Sequence, residues 1–135
     1  MTGYDASILI VEDEPAVRNL FVALLAGEFR CQTAESAEAA IALLDAQPFH
    51  LVLADIGLPG TSGLEMCRMI AARESRPAVI LVSGKIDLEA AAEARRAGAF
   101  DFLQKPFNLD DVVATVRCAL ADQARQPAIR SASSD

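Results

Sequence analysis

The sequence predicts an α/β domain: a parallel five-stranded sheet with helices packed on both faces. Three observations lead there. Short apolar runs alternate five times with longer amphipathic stretches. Two of those runs, ILIV at Ile8–Val11 and VILV at Val79–Val82, are continuously apolar, as strands buried on both faces require. The chain has 135 residues, 53% of them hydrophobic, enough for one domain with a real core and too apolar for wholesale disorder.

The strand segments are expected at Ile8–Val11, Cys31–Thr33, Leu51–Ala54, Ala78–Val82 and Asp101–Leu103. The second is a weak signal, and the fifth is short and mixed, as an edge strand is. The first helix places Val17, Leu20, Phe21, Leu24 and Leu25 on one face, with Pro15 in its first turn, where a missing N–H costs nothing. Ile41 and Leu44 anchor a second helix that Ser36 can cap. Ser62 followed by Glu65 has the spacing of a capping box at the start of a third. A fourth spans Leu88 to Ala97 and stops at Gly98, suited to a left-handed C-cap. The fifth carries Leu109, Val112, Val113, Val116 and Leu120 on one face, with Asn108 as cap and Asp110 and Asp111 at the positive end of its dipole. Pro59 and Gly60 predict a turn with positive φ at Gly60. The pattern fades after Asp122; the domain is expected over residues 1–124, with 125–135 a disordered tail or the start of a linker.

Composition narrows the function. A net charge of −7 argues against direct nucleic-acid binding and against attraction to anionic membranes, both of which need basic patches. No apolar run reaches the roughly 18 residues of a membrane span, and the N-terminus has no secretion-signal pattern, so a cytoplasmic location is expected. Cys31, Cys67 and Cys118 lack metal-ligand spacing and are expected to be small buried hydrophobes. His50 stands alone and carries no metal or catalytic expectation.

The polar residues that interrupt the pattern are concentrated. Glu12 and Asp13 follow strand one, Asp55 strand three, Ser83 strand four and Lys105 strand five. In a parallel sheet all these C-terminal ends share one edge, where open α/β sheets bind ligands. Close carboxylates repel by about 1 kcal/mol per pair at 4 Å even in water. Mg²⁺, a hard cation that takes oxygen ligands, relieves that repulsion and leaves a position for a phosphoryl oxygen. Lys105 can neutralise a second phosphoryl oxygen, and the Ser83 hydroxyl can bond a third. Phosphoryl transfer needs such a set, and a carboxylate is an accepted nucleophile for it.

The motifs VEDEP (Val11–Pro15), LVLADIGLPGTSGLE (Leu51–Glu65), VSG (Val82–Gly84) and FLQKPF (Phe102–Phe107) together make the chain resemble a response-regulator receiver domain of bacterial two-component signalling, over about residues 6–122. The resemblance implies a flavodoxin-like (βα)5 three-layer sandwich with strand order 2-1-3-4-5. It implies Asp55 as phosphoacceptor, assisting its own phosphorylation and dephosphorylation rather than acting as a turnover enzyme. Asp13 and Asp55 would bind Mg²⁺ through their carboxylates, Glu12 through a water, and Gly57 through its backbone carbonyl. Ser83 and Lys105 would contact the phosphoryl group, and Phe102 stands where the family has a mobile aromatic. The implied partner is a sensor histidine kinase or histidine phosphotransfer protein, with self-association on activation open. A cis Lys105–Pro106 bond is implied as well.

Two other readings fit less well. An aspartate-nucleophile phosphatase usually has a second acid two residues after the nucleophile, where this chain has Gly57. A flavin-binding module needs a Gly/Ser/Thr-rich phosphate loop after strand one, where this chain has EDEP. Whether the chain acts alone or as the input domain of a longer regulator stays open at this level.

Overall fold

The computed structural model describes residues 6–84 and 88–125. Its elements alternate in order: β1 (Ser7–Val11), α1 (Pro15–Leu25), β2 (Arg30–Ala34), α2 (Ala37–Ala46), β3 (Leu51–Asp55), α3 (Gly63–Ala71), β4 (Ala78–Ser83), α4 (Leu88–Arg96), β5 (Asp101–Gln104) and α5 (Leu109–Arg125). All four pairings are parallel, and the strand order is β2-β1-β3-β4-β5. This is the flavodoxin-like sandwich. The two continuously apolar runs lie inside the sheet, while β2 and β5 are its edges. Edge position explains the faint signal of β2, which exposes most of its side chains.

The alternation of side chains along each strand divides the core in two. Ile8, Ile10, Leu53, Ile80 and Val82 face α1 and α5, meeting Phe21, Leu25, Val112 and Val116. Leu9, Val11, Val52, Ala54 and Leu81 face α2, α3 and α4, meeting Ala40, Met66, Ile70 and Ala94. Burying a side chain of this size contributes about 1.5–3 kcal/mol each, so these two layers dominate the folding energy.

Local signals behave as their chemistry dictates. Pro15 opens α1. Ser36 Oγ accepts from Ala39 N, and Ser62 Oγ from Glu65 N, both at 3.1 Å. The Glu65 carboxylate, expected to complete the capping box at α3, turns instead to Arg68, 3.1 Å away. Asn108 Oδ1 accepts from Asp110 N at 2.8 Å. Gly60 (φ 72°) and Gly98 (φ 101°) are both left-handed. At Gly98, bonds from Gly98 N to Arg95 O and from Ala99 N to Ala94 O close a Schellman motif.

Several expectations are corrected. Leu20 and Leu109 lie at the solvent-facing margins of their helices, 42% and 45% exposed, and Val22, also on α1, packs against the core. Cys67 is buried, but Cys31 is only half-buried and Cys118 is exposed on α5. α5 runs through Arg125, and Gln123 Nε2 donates to the Arg76 carbonyl at 3.0 Å. The rest of the expected tail lies outside the described residues. His50 serves the fold: its Nδ1 accepts from Ser7 N at 3.0 Å and ties the start of β1 to the approach to β3. Among the described residues no helix is long and apolar enough to cross a membrane.

Candidate functional site

The C-terminal ends of β1, β3 and β5 bring Glu12, Asp55 and Lys105 together. Asp55, the last residue of β3, stands two positions after Leu53 and so on the α1/α5 side of the sheet. One carboxylate oxygen from each of Glu12, Asp13 and Asp55 lies within 4.8 Å of the other two. Lys105 Nζ donates to Asp55 Oδ2 at 3.0 Å and stands 3.7 Å from Glu12 Oε1, close enough for charge attraction but too far for a hydrogen bond. The other Asp55 oxygen, Oδ1, accepts from Gly57 N at 3.1 Å. The Asp55 side chain is 11% exposed, so little of it meets solvent.

Glu12 is the most strained member electrostatically. It is fully buried. Its Oε2 accepts from Glu14 N at 3.2 Å, but Oε1 is buried with no hydrogen-bond partner. Burial pushes the pKa of its carboxyl up to about 7; the Glu14 amide pulls downward, the Asp55 charge adds to the rise, and Lys105 opposes it. Lys105 experiences the converse balance. Burial works against its charge, yet the bond to Asp55 and the fields of Asp55, Glu12 and Glu14 leave its ammonium pKa above the ordinary value.

Oε1 has the Lys105 ammonium 3.7 Å away but no hydrogen bond, and a buried carboxylate oxygen in that state is costly unless a cation meets it at bonding distance. Three carboxylates clustered around such an atom form an oxygen-rich donor set that suits a hard divalent cation such as Mg²⁺. The residues present therefore fit that group.

Neighbouring elements fix the site. Arg18 Nη1 of α1 donates to Glu12 O at 3.0 Å, steadying the loop after β1. Lys105 N donates to Ser83 O at 2.8 Å, the Lys105–Pro106 bond is cis as expected, and Phe107 stacks on Phe21 with centroids 5.0 Å apart. Lys105 reaches inward from a short edge strand to Asp55 and Glu12.

Ser83 and Phe102 stand differently. Ser83 closes β4, one position past the Asp55↔Val82 pair. Phe102 pairs with Leu81, two positions before Ser83, so strand alternation puts both on the α4 side of the sheet. Phe102 is half-buried there, with the Arg95 guanidinium of α4 5.6 Å from its ring centroid.

Two contributors escaped the sequence reading. Gly63, the first residue of α3, is buried so tightly that an added Cβ would lie 2.2 Å from the Asp55 carbonyl oxygen. A glycine opening a helix just after a Ser cap was the available signal. Glu38 of α2 reaches across to the loop after Asp55, its Oε2 accepting from Thr61 N at 3.3 Å; nothing in its local pattern indicates this.

Several known proteins resemble this chain over most of its length. The regulatory protein NtrC of Salmonella typhimurium, named as a DNA-binding transcriptional regulator, is 34% identical over 120 residues, covering 88% of this chain and 26% of NtrC. The transcriptional regulatory protein FixJ of Azorhizobium caulinodans is 38% identical over 128 residues, 90% of this chain and 60% of FixJ. The solved structure of NtrX from Brucella abortus superposes with a TM-score of 0.82 at 31% identity, covering 93% of this chain and 29% of NtrX. The chain thus spans from about a quarter to three-fifths of these relatives. Residues 8–117 match the model of the response regulator receiver domain, and the chain belongs to that family of bacterial two-component systems.

Proposed function

We propose that Asp55 accepts a phosphoryl group from the phosphohistidine of a sensor histidine kinase or histidine phosphotransfer protein, and that the modification changes the face formed by α4, β5 and α5. The observation that carries this reading is the buried Glu12 oxygen without a hydrogen bond beside Asp13 and Asp55, with Lys105 Nζ 3.0 Å from Asp55 Oδ2. In the transfer an Asp55 carboxylate oxygen forms the new P–O bond while the P–N bond breaks, its electron pair leaving with the donor imidazole. Lys105 holds Asp55 in place and then neutralises charge on the phosphoryl oxygens, and the Ser83 hydroxyl donates to another. Asp13 directly, Glu12 through a water and the Gly57 carbonyl would hold Mg²⁺, which when bound supplies Lewis-acid charge neutralisation at the phosphoryl group. The same groups assist hydrolysis of the acyl phosphate, so the domain is a self-resetting acceptor rather than a turnover enzyme.

The outward route follows the sheet. α4 buries only Ala91 and Ala94, and small side chains bury little area, so the helix is weakly held. Drawing the Ser83 hydroxyl toward the phosphoryl group opens space two positions along the same face, beside Phe102. The ring turns in, the Arg95 contact is lost, and α4 shifts. The changed face docks a partner, controls an output domain outside this chain, or self-associates; the names of the relatives favour an output domain, with residues 1–124 as the receiver unit. Acetyl phosphate and Mg²⁺ should label the wild-type chain with a hydroxylamine-sensitive, acid-resistant phosphate, and Asp55→Asn should not be labelled. Equal labelling of the variant rejects the acceptor assignment. Beryllofluoride should move NMR signals of Phe102 and of residues 88–96; shifts confined to the Asp55 pocket reject the output route.

A further inference from the structure

The loop between β3 and α3 carries the Gly57 carbonyl and must hold its shape for that carbonyl to serve a cation. Its ends are tied closely: Ile56 N donates to Val82 O, Gly63 N to Ile56 O, and Gly57 N to Asp55 Oδ1, at 2.9, 2.9 and 3.1 Å. Its middle turns at Gly60, where φ is 72°, a conformation that only glycine adopts cheaply. Glu38, in the first turn of α2 and 23 residues distant along the chain, sits against this turn. Its carboxylate oxygens lie 3.4 and 3.6 Å from where a Cβ on Gly60 would be. One of them accepts from Thr61 N. The Thr61 hydroxyl, the backbone N–H of Glu38 itself and the Thr61 N–H, in decreasing weight, hold the carboxyl below its ordinary range, as expected for a carboxylate gathering donors.

The plain explanation of an acid here is the helix dipole, which any carboxylate in a first turn complements. That accounts for neither the reach to Thr61 nor the fit against a left-handed glycine. We infer that Glu38 is a positioning residue: from α2 it clamps the Gly60–Thr61 turn and thereby holds the Gly57 carbonyl where the divalent cation needs it. This rests on the metal and acceptor reading above. Glu38 touches neither cation nor phosphoryl group; it acts through the loop, as outer partners of metal sites do.

The test uses the whole chain with Glu38→Ala and Glu38→Gln. Mg²⁺ affinity is measured by calorimetry, the Gly57 and Thr61 amides by NMR, and the rate of acetyl phosphate labelling as a function of Mg²⁺. Glu38→Ala should weaken Mg²⁺ about tenfold, the lower end for loss of an outer partner. It should raise the Mg²⁺ concentration for half-maximal labelling by the same factor and leave the saturating rate near wild type. Glu38→Gln, whose amide oxygen still accepts from Thr61 N, should recover most of the loss. A dipole role alone would lower the thermal midpoint without moving Mg²⁺ affinity or the Gly57 amide. Glu38→Ala matching wild type in Mg²⁺ affinity overturns the inference, and so does Glu38→Gln as weak as Glu38→Ala. A wild-type chain that takes up neither Mg²⁺ nor phosphate overturns the underlying reading; a wild type that takes up both while the Ala variant matches it overturns the Glu38 role alone.

Discussion

Replacing Gly63 by Ala sets two effects of opposite sign against each other. Helix propensity favours Ala over Gly by about 0.8–1 kcal/mol. Against this, the new Cβ would lie 2.2 Å from the Asp55 carbonyl oxygen, 2.9 Å from the Asp55 carbonyl carbon and 2.9 Å from Ile56 Cα. Ordinary C···O contacts begin near 3.3 Å, so the start of α3 must retreat from the end of β3 by about 1 Å. All three atoms are backbone, and no rotamer change relieves the clash. Overpacking of a well-filled site costs about 1–3 kcal/mol, and the retreat also stretches the Gly63 N–Ile56 O bond, worth about 1 kcal/mol. The net expectation is destabilisation by about 2 kcal/mol, or a fall of about 6–12 °C in Tm for a domain of this size. Thermal and urea melts check it, with Gly27→Ala and Gly84→Ala as controls, since a Cβ at either meets nothing within 4 Å. Because the displaced backbone belongs to Asp55 and Ile56, acetyl phosphate labelling should fall too. A Gly63→Ala protein that melts at or above the wild-type temperature and labels normally would refute the reasoning.

Glu12 gives a pH signature. Its carboxyl pKa is about 7 when folded against 4.5 ordinarily, so between those values the folded chain holds the extra proton. The stabilisation from this group is full below about pH 4.5 and is lost as pH rises through about 7; from pH 5 to pH 8 the metal-free protein should lose about 2–3 kcal/mol. Glu12→Gln should abolish that slope in urea melts with chelator, and parallel profiles for the two proteins would contradict it. Phe107→Ala removes the stack on Phe21 and frees the segment after Lys105; for a half-buried ring the loss should be about 2–3 kcal/mol, together with slower labelling of Asp55. A thiol reagent should modify exposed Cys118 first. Cys67, buried and with its thiol pushed up to about 11, should react only on unfolding, which mass spectrometry of the timed reaction resolves.

The strands, the caps and the placing of chemistry at the strand ends were legible in the sequence, because each depends on a few neighbouring residues. A continuous Val/Ile/Leu run suits a strand covered on both faces wherever it lies in the sheet, and Ser36, Asn108 and Gly98 act within four residues of themselves. The strand ends grouped Glu12, Asp13, Asp55, Ser83 and Lys105, and of these Glu12, Asp13, Asp55 and Lys105 come together in the fold. Burial at the margins was not legible. Leu20 and Leu109 fit their helical faces by periodicity, yet how wide a stripe each helix covers depends on the neighbour it packs against. The same holds for Cys118, whose apolar surroundings in sequence say nothing of the side of α5 it occupies. Glu12 read as a ligand; that one of its oxygens is buried without a hydrogen bond, 3.7 Å from the Lys105 ammonium, depends on a residue far from it along the chain. Gly63 and Glu38 belong to the same class. Their roles come from a backbone atom of β3 and an amide 23 residues away, and contacts of that kind exist only once close packing has brought separate segments within a few ångströms, where a single methyl group decides the fit.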